Sequence, residues 1–93
     1  MPAEVLHETE DVVIVKDINP KAPVHYLLIS KKHISSIKEM DREDEALMGH
    51  LIYMAKMAAD KLGLSGYKLV FNVGKDGGQV IDHIHLHLLG GWK

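Results

Sequence analysis

The chain has 93 residues, 46% of them apolar, with 11 Lys and Arg against 13 Asp and Glu and a formal net charge of -2. That length supports one domain, residues 1–93, whose core is marginal unless a second surface joins it, and the scattered basic residues exclude the positive stripe that tracks a nucleic-acid polymer. With no cysteine, no apolar run long enough to span a bilayer and no signal-like start in Met1-Pro2-Ala3-Glu4, the expectation is a cytoplasmic protein without disulfides, thiolate zinc or a membrane partner.

In chain order, two apolar runs at 12–15 and 24–29 are split by Asp17, Asn19, Pro20 and Pro23, which reads as strand, rigid turn, strand. In the second run His25 shares a face with Leu27 and Ile29, opposite Val24, Tyr26 and Leu28. Lys31-Lys32-His33 follows as a solvated basic turn. Ile34 and Ile37 begin a short crossing, and the acidic stretch from Glu39 to Glu45 announces a helix with Asp41 as N-cap and Asp44 three residues on. Leu47, Leu51, Met54, Met57, Ala58 and Leu62 then recur at helical spacing, so one face of a helix over about 42–62 packs on a sheet, with Met48, Met54 and Met57 as core filler.

His50 on this helix reads as a surface or dimer contact, and Gly63 closes the helix in a left-handed conformation. Leu47, Met48, Leu51, Ile52, Met54 and Ala55 cover more of the helix than one sheet face requires. The excess points to a homodimer with a seam at Ile52, Met48 and Ala55. A strand over 67–73 follows, with Asn72 on the face of Val70 and Lys68, and Gly74 to Gly78 turn the chain back. Gly77 and Gly78 allow backbone N–H groups to approach an anion, although the sequence is not a P-loop.

His83, His85 and His87 alternate with Ile84, Leu86 and Leu88. A strand therefore places three imidazoles on one face and an apolar set on the other. Three crowded rings lose hydration and cannot all be protonated, a cost best explained by nucleophilic or acid–base chemistry on phosphorus. Imidazole attacks phosphorus at neutral pH, its phosphoramidate adduct is labile, and a second imidazole serves the leaving group. The developing charge would be met by His87 and by N–H groups after Gly77. A zinc site built from the three histidines is the metal alternative, but same-face residues stand about 7 Å apart along a strand and reach one ion only if the strand twists.

These residues resemble the histidine triad superfamily, and within it the nucleotide-binding phosphoramidase branch called HINT. The motif His-x-His-x-His plus two apolar residues is matched by His83, His85, His87, Leu88 and Leu89. The blocks DINPKAPVHYLLISKKHI at 17–34, LMGHL at 47–51, FNVG at 71–74, DGGQ at 76–79 and LGG at 89–91 also match in order and spacing. The resemblance implies an α+β fold: an antiparallel sheet of about five strands with one long helix, paired as a two-fold homodimer.

It further implies that His85 is the nucleophile toward the α-phosphorus of a purine nucleoside phosphoramidate or acyl adenylate. His87 would contact the phosphate and assist the leaving group, with His83 and His25 the buried pair behind the nucleophile. By the same resemblance Asp17 and Ile18 hold the ribose and base, Asn72 reaches the phosphate, and Gly78 with Gln79 forms the adjoining loop. No cofactor or resident metal is implied.

Two positions depart from the branch: Val80 replaces a serine, and Trp92 an arginine. The branch's C-terminal tail, which reaches the partner's site, has no counterpart before the end at Lys93, and the zinc-binding cysteines of some relatives are absent. The rival activities are a dinucleoside polyphosphate hydrolase, against which Gly90-Gly91 speaks because that branch has Pro-Arg, and an adenine nucleotide-binding protein without turnover, which Val80 favours.

Overall fold

The computed structural model describes residues 4–92. Its elements are β1 (Val5–Glu8), β2 (Val12–Lys16), β3 (Val24–Ser30), α1 (Glu45–Lys61), β4 (Tyr67–Val70) and β5 (His85–Gly90), with short 3-10 turns at Ile37–Glu39, Arg42–Asp44 and Lys75–Gly77. The strands form one antiparallel sheet in the order β1-β2-β3-β5-β4, so the chain is α+β with a single long helix.

Register determines what each face carries. Across β3 and β5, Leu27 pairs with His87 and Ile29 with His85, while Leu28 pairs with Leu86 and Tyr26 with Leu88. Cross-strand partners share a face, so the first set lies on one side and the second on the other. Leu28, Leu86 and Leu88, with Val12 and Ile14 of β2, are fully buried beneath α1, which contributes Leu51, Met54, Ala55, Ala58 and Ala59. The helix closes at Gly63 with φ +73°, as its sequence position implies.

Several elements differ from the sequence expectation. β1 was not foreseen: it is a four-residue edge strand with an irregular register between Val5 and His7, too short and too polar to announce itself. β4 stops at Val70 rather than 73, and β5 starts at His85, leaving His83 outside the ladder. The α-helix begins at Glu45 because the Asp44 carboxylate accepts from the Asp41 amide at 2.9 Å while the Asp44 amide bonds the Asp41 carbonyl at 2.9 Å, tightening the entry into a 3-10 turn.

The basic turn is solvent-exposed as expected, yet each of its side chains has a partner. Lys31 pairs with Glu8, Lys32 with the buried Asp44, and His33 with His83. Met48 and Ala55, assigned above to a dimer seam, are buried in the protomer's own core, and Met57, assigned to the core, is exposed. Ile52 remains 48% exposed, with Tyr53 and Met57 beside it on the outer helix surface. His50 is partly buried among the charged residues at the helix start.

Candidate active site

The face opposite the helix opens into a cavity of roughly 460 Å³ lined by residues from five regions. Leu27 and Ile29 of β3 form its floor with Val15 of β2. Asp17, Ile18 and Asn19 come from the β2–β3 turn, Asn72 and Gly78 from the loop after β4, and His85 and His87 from β5. The site is therefore the sheet face left uncovered by α1, closed at its sides by two loops.

Hydrogen bonds fix the protonation of the rings. The backbone N–H of Lys21, which can only donate, points at His25 Nδ1 at 3.0 Å. The His25 proton therefore sits on Nε2, which lies 2.9 Å from His87 Nδ1. His87 must accept there, so its own proton is on Nε2, facing the cavity; Asn72 Nδ2 stands 3.4 Å from that nitrogen and can itself only donate, so the carboxamide must turn its Oδ1 toward His87 for the two to bond. Asp17 steadies this line: its Oδ2 is 3.3 Å from His25 Nε2 and its Oδ1 accepts from the Asn19 amide at 2.8 Å.

A separate bond governs His85. Its Nδ1–H donates to the His83 carbonyl at 2.8 Å, which leaves Nε2 without a proton and with a free lone pair. The two rings of β5 stand 4.9 Å apart at 62°. One strand thus presents an unprotonated nitrogen and a protonated one, side by side. Burial holds the His87 and His25 pKa values below the usual 6.5; His85 and His25 add to the effect at His87, Lys21 adds at His25, and Asp17 opposes it at both.

The residues singled out from sequence fall in different places. His25 lies behind His87 rather than His85, with ring centroids 5.1 Å apart. The His83 ring turns away from the cavity, giving its Nε2–H to the Ser30 carbonyl at 2.6 Å, so it is the His83 carbonyl that backs His85. Asp17, Ile18, Asn72 and Gly78 all border the cavity.

Gln79 instead ties the loop together: its amide bonds the Ser35 and Ile81 carbonyls, and its oxygen accepts from the Gly74 amide. The N–H groups of Gly77, Gly78 and Gln79 are consumed by the Lys75 and Gly74 carbonyls, so they do not form the anion cradle expected after Gly77. The side-chain donors of His87 and Asn72 do border the cavity.

The three triad rings do not converge on one ion, because His83 points elsewhere. Among the described residues the set whose ligand atoms lie within 4.8 Å of one another is Asp17, His25 and His87, whose atoms are already joined by the bonds above. Sequence reasoning missed Lys21, which acts through its main chain, and His33. Val80 stands almost wholly exposed, at 93%, on the cavity rim.

A HIT domain model matches residues 1–93. A HIT-like protein of Synechocystis is 45% identical over 92 residues, covering 98% of this chain and 81% of that protein. Among solved structures, a HIT family hydrolase from Legionella pneumophila superposes with TM-score 0.96 at 46% identity, over 100% of this chain and 85% of its own. A histidine triad protein from Clostridium difficile superposes with TM-score 0.96 at 32% identity, over 100% and 83% respectively.

Proposed function

The chain belongs to the HIT-domain family of histidine triad proteins, and from that premise we propose that it cleaves purine nucleoside phosphoramidates or acyl adenylates at the α-phosphorus through a nucleotidyl-His85 intermediate. The observation that carries this reading is the bond from His85 Nδ1–H to the His83 carbonyl, which leaves Nε2 free inside the cavity. His85 Nε2 attacks phosphorus, an N–P bond forms, and the bond to the leaving group breaks. An amine leaving group takes the His87 Nε2 proton as it departs, whereas an acyl carboxylate leaves as the anion. Water then attacks the same phosphorus, its proton passing to His87 Nε2 or, where that nitrogen has kept its own, to solvent; the bond to His85 breaks, and the nucleoside monophosphate is released.

His87 Nε2–H and the Asn72 carboxamide stabilise the phosphoryl oxygens, and His87 serves the departing atom. Ribose hydroxyls donate to Asp17, whose carboxylate retains free lone pairs beyond its bonds to His25 and Asn19. The base lies between Ile18 and the apolar floor of Val15, Leu27 and Ile29. The exposed Ile52, Tyr53 and Met57 support a homodimer. We place the protein in the cytoplasm, which cell fractionation tests.

The test is a single turnover with an adenosine phosphoramidate radiolabelled in its phosphate, quenched without acid. Covalent label on the wild type and none on His85→Ala is expected. An unlabelled wild type whose turnover equals that of His85→Ala would sink the mechanism. Faster turnover of diadenosine triphosphate than of the amide would favour the dinucleoside polyphosphate reading, and tight AMP binding with no chemistry on any substrate would favour a binding module, the reading suggested by Val80.

A further inference from the structure

The nucleophile's orientation depends on a carbonyl, and something must hold that carbonyl in place. His83 carries it, and His83 is gripped on both sides. Its ring donates Nε2–H to the Ser30 carbonyl at 2.6 Å, which in the neutral imidazole leaves Nδ1 as the acceptor. The atom that meets Nδ1, at 3.0 Å, is Nδ1 of His33, so His33 must bear its proton there and donate it. The two rings meet edge-on, with centroids 4.9 Å apart at 64°.

One residue further along both segments, the amide of the buried Ile84 donates to the Ile34 carbonyl at 2.7 Å. The segment 33–34 thus clamps 83–84 through one ring pair and one main-chain bond. The next residue is His85, whose Nδ1–H reports to the same His83. His33 is otherwise exposed and contributes nothing to the core.

We propose that His33 is a positioning residue for His85: by donating Nδ1–H to the His83 ring it fixes the rotation of His83 and keeps its carbonyl aimed at His85 Nδ1, so that Nε2 stays the free, attacking nitrogen. The catalytic part of this inference rests on the phosphoramidase reading above; the protonation pattern does not. Removing the donor loosens the carbonyl and lets His85 sample the tautomer with its proton on Nε2, which cannot attack.

The experiment compares wild type, His33→Leu and His33→Asn. Asn Nδ2 is bonded to Cγ as His Nδ1 is, so asparagine restores the donor where leucine does not. Losing one hydrogen bond predicts a fall in kcat of about 5- to 10-fold for His33→Leu, with KM and melting temperature near wild type, and recovery to within about 2-fold for His33→Asn.

Long-range proton–nitrogen NMR on substrate-free protein reads the tautomers directly: wild type with the proton on His33 Nδ1, His83 Nε2 and His85 Nδ1, and His33→Leu with His85 shifted toward the Nε2–H form. A wild-type His83 protonated on Nδ1, an unaltered His85 tautomer in His33→Leu, or a failure of His33→Asn to rescue would each overturn the proposal. Turnover unaffected by His85→Ala would instead overturn the phosphoramidase reading and leave the tautomer result standing.

Discussion

The two faces of β3 and β5 are made of alternate residues of the same strands, yet they follow opposite rules. Beneath α1, Leu28, Leu86 and Leu88 are sealed from water, and the face is specified by volume and apolarity alone. On the other side Leu27 and Ile29 alternate in space with His85 and His87, and the face is specified by which nitrogen carries a proton. One face gives the fold its stability and the other gives up some of that stability to keep imidazoles dehydrated and neutral. Adjacent residues such as His85 and Leu86 should therefore fail in different ways when changed.

The largest effect expected is on the open face. His85→Ala removes the nitrogen that, among the described residues, the hydrogen bonds leave with a free lone pair in the cavity, so single-turnover cleavage should drop by at least about 10³-fold while the melting temperature moves little. A variant that retained activity would break the comparison outright. Its neighbour should behave conversely: Leu86→Ala leaves a void under the helix and should cost about 2–5 kcal/mol in urea unfolding, with kcat per folded molecule almost unchanged.

The proposed homodimer adds a third surface to the comparison. Ile52 lies outside both sheet faces, and Ile52→Glu should leave the protomer folded while lowering the melting temperature and steepening its dependence on protein concentration. Sedimentation equilibrium of the wild type at micromolar concentration checks this, and a monomeric mass would remove the dimer.

A smaller effect comes with pH. His25 and His87 titrate below 6.5 in the folded state and near 6.5 in the unfolded chain, so the unfolded chain binds more protons once the pH falls through 6.5. The stability tied to their neutrality is complete above that pH and is lost progressively below it, down to the folded-state values. Thermal melting at pH 7.5 should exceed that at pH 5.5, and NMR titration midpoints of either ring at or above 6.5 would contradict the assignment.

The smallest effect is at the rim. Gly78 has φ +88° and a Cβ there would reach only to 3.9 Å from the Asn72 carboxamide, so Gly78→Ala should cost about 1 kcal/mol through backbone strain, without a clash. A loss several times larger would mean that the loop does more than close the cavity wall.

How much of this could be read from the residues follows from the kind of interaction involved. The alternation of His85 and His87 with Leu86 and Leu88 is local, and period-two patterning placed both faces correctly. The same pattern extended to His83 failed, because the ladder begins at His85 and the preceding ring is drawn to the Ser30 carbonyl, a main-chain atom 53 positions away. The anion cradle expected after Gly77 misled in a similar way, although Gly78 does border the cavity. The cradle's donors are spent inside the loop, and composition does not reveal where a donor is spent. His33 and Lys32 do lie on the solvated surface, but their partners were not legible because the buried Asp44 and the His83 ring come from distant sequence.

The amide of Lys21 illustrates how a site can depend on a position without depending on its side chain. Two imidazoles inherit their protonation from that single N–H, so the lysine could be exchanged for almost any residue and the line of bonds would persist. Proline alone would delete it, because proline has no amide hydrogen to give. Among natural variants of this chain, position 21 should then drift in size and shape while excluding one residue, a signature that looks like indifference to anyone counting preferred side chains and is in fact a constraint on the main chain.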